Sequence, residues 1–260
     1  MLLAIDVGNT NITFALFEKG EKEIKMSFRL TTATVRTSDE YGATIISIIQ
    51  DRGFAACDIH ACIMASVVPD VMYGLTSAII KYLCIQPIIV GPGTKTGIRL
   101  IKTNPAEVGP DRIVDGVAAI ALFGGPVIVA DFGTATKFDY FNADHGFEGA
   151  VTCPGIKLSA AALRTGTARL PEVEIVNPGT CLPKDTVTSI QAGILFGRVR
   201  EAEYIIDRIK KEAGVPDIKV VATGGLAYII ADETDRIDII EPNLTMYGLR
   251  IIYEKNKKEQ

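Results

Sequence analysis

Two carboxylates stand out, each closing an apolar run and each followed by glycine. Leu2-Leu3-Ala4-Ile5 leads into Asp6-Val7-Gly8-Asn9-Thr10-Asn11, with Ile12 and Thr13 after it. About half the chain later, Val127-Ile128-Val129-Ala130 leads into Asp131-Phe132-Gly133-Thr134-Ala135-Thr136. Glycine lets backbone approach a ligand closely, because no Cβ intervenes. Asn and Thr add side-chain hydrogen bonds, and a carboxylate can hold a hydrated cation. A lone turn of this kind reads most simply as a hairpin connection. Two copies, facing each other, would form a phosphate cradle.

A third glycine turn, Ala222-Thr223-Gly224-Gly225-Leu226, follows another apolar run. Adjacent glycines before a helix let a flat base or ribose lie against the backbone. A fourth segment, Asn104-Pro105-Ala106-Glu107-Val108-Gly109-Pro110-Asp111-Arg112, ends in an acid and a guanidinium at a helix start. Asp111 can accept a proton from an alcohol there, and Arg112 can bind an anionic substrate. The alternative is an ordinary acid favoured by the helix dipole. The chain has neither a Walker lysine pattern nor a GxGxxG turn after a strand, so P-loop and dinucleotide readings are poor.

The elements that must position these residues follow from the apolar pattern. Strands are expected at 2–7, 12–17 and 24–30, with a turn at Glu18-Lys19-Gly20-Glu21. A helix is expected over 37–52, where Thr37 and Glu40 have capping-box spacing. A strand at 61–68, a helix to 83 and a strand at 87–90 complete the first half. A helix over 111–123 precedes the second half. There strands at 127–131, 137–141 and 147–152, helices at 156–163 and 188–212, strands at 218–222 and 237–240, and a helix at 243–253 repeat the plan. The repetition points to duplication.

The chain's 260 residues allow one large domain or two of roughly 120 residues. With 48% hydrophobic and 22% charged residues, a substantial core is expected. A net charge of −4 argues against a general nucleic-acid surface, which would be basic. Cys57, Cys62, Cys84, Cys153 and Cys181 include no CxxC pair, and reduced thiols in a cytoplasmic protein are expected. No apolar run reaches membrane-spanning length, and Asp6 interrupts the start too soon for a secretory signal.

Taken together, Asp6-Val7-Gly8-Asn9-Thr10, Gly109-Pro110-Asp111-Arg112 and Asp131-Phe132-Gly133-Thr134-Ala135-Thr136 resemble type III pantothenate kinase, within the superfamily of actin, Hsp70 and sugar kinases. The match runs through Pro154-Gly155-Ile156, Thr167-Ala168-Arg169-Leu170-Pro171, Thr223-Gly224-Gly225 and Tyr247-Gly248-Leu249, essentially the whole chain. It implies an α/β, duplicated actin-like (ribonuclease H-like) ATPase fold with two βββαβαβα-type halves around an interdomain cleft. The halves would be 1–110 and 111–260, the second including the inter-half helix 111–123. The implied activity is ATP-dependent phosphorylation of pantothenate to 4′-phosphopantothenate, the first step of coenzyme A biosynthesis.

By the same resemblance, Asp6, Val7, Gly8, Asn9, Thr10, Asn11, Ile12 and Thr13 bind ATP phosphates, with Asp6 acting on Mg²⁺ through water. Thr134, Gly224 and Gly225 would contact ATP. Gly109, Pro110, Asp111 and Arg112 would bind pantothenate, with Asp111 as proton acceptor. Asp131 would hold a monovalent cation, K⁺ or NH₄⁺. Thr186 of a neighbouring subunit would close the substrate site, making a homodimer part of the mechanism. The alternatives are a kinase of another small alcohol and a nucleotide-binding regulatory protein of the same fold.

Three positions depart from the family pattern. Lys137 stands where another Thr is usual; it can contact phosphate, replace the monovalent cation, or point outward. Lys102 replaces an aromatic residue before the Asn-Pro pair. Gly149-Ala150 replaces a double glycine.

Overall fold

The computed structural model describes residues 1–34, 36–101 and 104–257. In chain order the first elements are β1 (Leu2–Val7), β2 (Asn11–Phe17), β3 (Ile24–Thr31), α1 (Ser38–Asp51), β4 (Ala61–Ser66), α2 (Pro69–Leu83), β5 (Ile88–Ile89), β6 (Arg99–Leu100) and α3 (Pro110–Phe123). There follow β7 (Val127–Phe132), β8 (Ala135–Phe141), β9 (Gly146–Pro154), α4 (Ile156–Thr165), α5 (Thr186–Ala213), β10 (Lys219–Thr223), α6 (Ala227–Ala231), β11 (Ile239–Ile240) and α7 (Leu244–Asn256).

The first sheet has the order β3-β2-β1-β4-β5 and the second β11-β10-β7-β8-β9-β6. Apart from β6, the second is the first run again: β7, β8, β9, β10 and β11 stand for β1, β2, β3, β4 and β5. Strand directions repeat as well. The β1–β2 and β2–β3 pairs are antiparallel and the β1–β4 and β4–β5 pairs parallel. The same holds for β7–β8, β8–β9, β7–β10 and β10–β11. The added strand β6 pairs in parallel with β9 over two residues, and its apolar signal is too short to have been read from the sequence.

The chain forms two compact units, Met1–Gly97 with Pro105–Ala118 and Leu244–Gln260, and Ile98–Asn104 with Ala119–Asn243. A division at 110/111 therefore does not coincide with them. The cause is local packing within the first unit. Gly248 of α7 lies so close to Val114 of α3 that a Cβ would collide with Val114's carbonyl. Thr245 also donates a 2.6 Å hydrogen bond to the buried Asp115.

Alternation along the strands sets the cores. In β1, Leu3, Ile5 and Val7 join Phe14, Tyr41, Ile45 and Leu75 in one buried cluster under α1 and α2. Leu2, Ala4 and Asp6 consequently share the other face, on the side where α7 packs against β1, β2 and β4. In the second unit, Ile128, Ala130 and Phe132 join Ile190, Leu195 and Val199 under α5, placing Asp131 on the opposite face with Val127 and Val129. The helix starts explain themselves. Thr37 and Glu40 form a reciprocal capping box on α1, worth about 1 kcal/mol. Asp185 accepts from the Thr188 N–H at 2.9 Å and so starts α5 at Thr186, two residues before the expected position.

Candidate active site

In the first unit the chemistry gathers at the carboxyl ends of β1 and β4. The β1–β2 turn is closed by the Gly8 N–H donating to the Asn11 carbonyl at 3.0 Å. Thr32, just past β3, anchors the same turn: its hydroxyl donates to the Gly8 carbonyl at 2.8 Å and its N–H to the Thr10 carbonyl at 3.0 Å. Asn9, Thr10 and Asn11 are exposed on the tip, whereas Asp6 is half-buried at the strand end. Directly across the ladder from Asp6 stands Thr13, a neutral oxygen donor.

The Gly109-Pro110-Asp111-Arg112 segment reaches the same strand ends. The Val67 N–H donates to the Val7 carbonyl at 3.1 Å, extending the β1–β4 ladder beyond β4. A Cβ on Gly109 would sit 3.8 Å from Val67 Cγ1 and would strike the Asp111 carboxylate. Glycine at 109 thus leaves room for Asp111 to fold back over the segment that introduces it. Asp111 and Arg112 are half-buried in the first turn of α3, where the dipole favours an anion. Asp115, one helical turn on, is the acid the sequence reading missed. Its spacing of four from Asp111 was the available signal.

The second unit builds its turn differently. Asp131 and Lys137 are direct partners across the β7–β8 ladder, and Lys137 Nζ lies 2.8 Å from Asp131 Oδ2. Their side chains are 14% and 17% exposed, so Lys137 does not point outward into solvent. Glycines crowd the other carboxylate oxygen. Gly224, at φ +92°, would place a Cβ 2.7 Å from Asp131 Oδ1 and 2.6 Å from the Phe132 carbonyl carbon. Only glycine satisfies both the positive φ and that approach. Gly133 flanks the same oxygen, and the Gly155 N–H donates to the Thr134 carbonyl at 3.1 Å. Asp131, Thr134 and Gly224 thus come together, with Thr134 and Gly225 exposed.

Thr186 lies elsewhere in that unit, on a groove between α4 and α5 with a cavity volume of about 1300 Å³. Leu158, Leu163, Ser189 and Arg198 also line it. Arg198 is buried, donates to Ser159 Oγ at 2.8 Å and pairs with Glu201. Burial, reinforced by Glu201, pushes the nearby Cys153 thiol up to about 11, which disfavours the thiolate needed for a nucleophile at neutral pH. Burial also raises the Cys62 thiol. Among the described residues no cluster of three or more His, Cys, Asp or Glu side chains offers a metal cage, and no helix is long and apolar enough to cross a membrane. Lys102 lies outside the described residues.

Residues 2–208 match the family described as type III pantothenate kinase. A type III pantothenate kinase from Agathobacter rectalis is 49% identical over 259 residues, spanning 100% of this chain and 99% of its own. Among solved structures, the ethanolamine utilization protein EutJ from Carboxydothermus hydrogenoformans superposes with a TM-score of 0.57 at 13% identity, covering 96% of this chain and 89% of that one. The activator of 2-hydroxyisocaproyl-CoA dehydratase from Clostridium difficile, solved with bound ADPNP, gives 0.50 at 15% identity, covering 100% and 98%. At such identities the likeness is one of fold: a duplicated actin-like architecture.

Proposed function

Because the chain belongs to the type III pantothenate kinase family and phosphorylates pantothenate with ATP in coenzyme A biosynthesis, we propose that the β1–β2 turn and the Gly109–Arg112 segment carry that transfer. The observation that supports this reading most is their meeting at one end of the first sheet. The link runs from the Val7 carbonyl through Val67 to Gly109 and Asp111. In open α/β sheets, ligands bind outside the carboxyl ends of strands.

In this reading the N–H groups and side chains of Gly8, Asn9, Thr10 and Asn11 receive the β- and γ-phosphate oxygens, flanked by Val7, Ile12 and Thr13. Asp6 suits Mg²⁺ held through water: it is a hard oxygen donor, half-buried, and faces the neutral Thr13 across the ladder. When bound, Mg²⁺ neutralises charge on the triphosphate. Arg112, with Gly109 and Pro110, holds the substrate carboxylate, and Asp111 accepts the proton of the primary hydroxyl. Most of the rate then comes from placement and charge neutralisation. The Asp111 proton transfer adds about 10² to 10⁴.

Asp131 does not fit the monovalent cation implied by the resemblance, since Lys137 already occupies one of its oxygens. A homodimer is the natural occupant of the α4–α5 groove, with Thr186 on its rim and Leu158 and Val187 exposed nearby. In that assembly Thr186 closes the neighbouring subunit's substrate site. A cytoplasmic setting agrees with the five free cysteines.

The decisive assay couples ADP release to added pantothenate with Mg²⁺–ATP. Pantothenate-dependent turnover is expected, and Asp111→Asn should lower kcat by about 10² to 10⁴ with little change in the KM for ATP. Full turnover in that variant would remove the base assignment.

A further inference from the structure

We propose that the Lys137 ammonium is a built-in substitute for a monovalent cation at Asp131, so that this enzyme turns over without K⁺ or NH₄⁺. The activity readout rests on the pantothenate kinase reading, whereas the geometry belongs to the second unit alone. Three observations carry the inference. The register places Lys137 directly opposite Asp131, which puts both side chains on one face of the sheet. Their contact, at 2.8 Å, is largely withdrawn from solvent, where an ion pair is screened far less than at the surface. Gly133 and Gly224 close on the remaining oxygen, so the carboxylate is enclosed by backbone on one side and ammonium on the other.

Across the strands the neighbours in this row are neutral, and the buried acid Asp139 is the next side chain along the same face of β8. Thr223 neighbours Asp131 on β10, and Thr152 neighbours Lys137 on β9. A lysine presents one compact positive charge with three N–H donors, the charge that K⁺ or NH₄⁺ would bring to the same oxygens. A second cation there would meet like-charge repulsion from Nζ. The tether also makes the charge permanent, where a free ion must be bound from solution.

The test is a titration of KCl against choline chloride at constant ionic strength, with Tris as the buffer cation and Mg²⁺–ATP and pantothenate present. The unmodified protein should vary by less than about twofold across the series. Lys137→Thr should be slow in choline and recover at least about tenfold in KCl, as expected for a vacated ion site filling by mass action. Stimulation of the unmodified protein by tenfold or more would overturn the proposal and leave the kinase reading intact. So would a Lys137→Thr protein that runs at full rate in choline.

A thermal melt separates the two readings. Lys137→Thr and Lys137→Gln should gain about 3 °C in KCl over choline chloride, while the unmodified protein should gain nothing. This shift requires no turnover, so a protein inert toward pantothenate would defeat the kinase reading while the melt still decides the ion site. K⁺-specific stabilisation of the unmodified protein, or its absence from both variants, would count against the substitution.

Discussion

The two acidic hairpins share a frame and diverge at one facing residue. β1–β2 pairs Asp6 with Thr13, and β7–β8 pairs Asp131 with Lys137. The next pair inward is Ile5 with Phe14 in one and Ala130 with Phe138 in the other, so Thr13 and Lys137 hold equivalent positions. Both acids lie on the sheet face opposite their unit's main apolar cluster. The first carboxylate faces a neutral hydroxyl across its ladder, while the second faces an ammonium 2.8 Å away. Duplication supplied one scaffold twice, and a single cross-strand choice gave the two copies different electrostatic work.

Making the hairpins alike should have the largest effect. Thr13→Lys would set an ammonium opposite Asp6, as Lys137 is set opposite Asp131. It should lower kcat/KM for Mg²⁺–ATP by about 10² or more, the scale of losing one preorganised charge-stabilising group. The steady-state assay at several Mg²⁺ concentrations checks this, with circular dichroism to confirm folding. Near-normal turnover would mean that the residue facing Asp6 does not govern its role.

Removing the second acid should cost stability as well as disturb the cation position. Asp131→Ala removes a carboxylate 2.8 Å from a lysine that is 14% exposed. Breaking a fully buried pair costs about 3 to 5 kcal/mol, and partial solvent access here reduces the expectation to about 1 to 3 kcal/mol. Urea unfolding measures it. The double variant Asp131→Ala with Lys137→Ala should recover part of the loss if the two side chains act as a pair, and the cycle measures that coupling.

This asymmetry was only half legible in the sequence. The apolar runs before Asp6 and Asp131, the capping pair Thr37 and Glu40, and the glycines at 133 and 224 are local signals, and the elements followed them closely. The role of Lys137 was left open among a phosphate contact, a replacement for the cation and an outward direction. Its direction is decided by ladder register, which pairs 131 with 137 once the turn is tight. The return of α7 to the first unit was not legible, because it depends on Gly248 meeting Val114 far away in sequence. Asp115 was missed although its spacing of four from Asp111 was readable; what that spacing does not show is its partner, Thr245, on the returning helix.

The smallest expected effect concerns the residue beside Lys137. Thr136 is fully buried, and among the described residues its hydroxyl has no hydrogen-bond partner. Ile12, also fully buried, holds the equivalent position in the first hairpin, which shows that the frame accepts an apolar β-branched side chain there. An unsatisfied buried hydroxyl costs about 1 to 3 kcal/mol of desolvation, so replacing it with a shape-matched methyl should not destabilise the fold. Thr136→Val is therefore expected to leave stability unchanged or raise it by up to about 1 kcal/mol in urea unfolding. A loss beyond about 1 kcal/mol would reveal that the hydroxyl is satisfied in solution, by an ordered water for instance. In that case the second hairpin would differ from the first by a buried polar site as well as by its lysine.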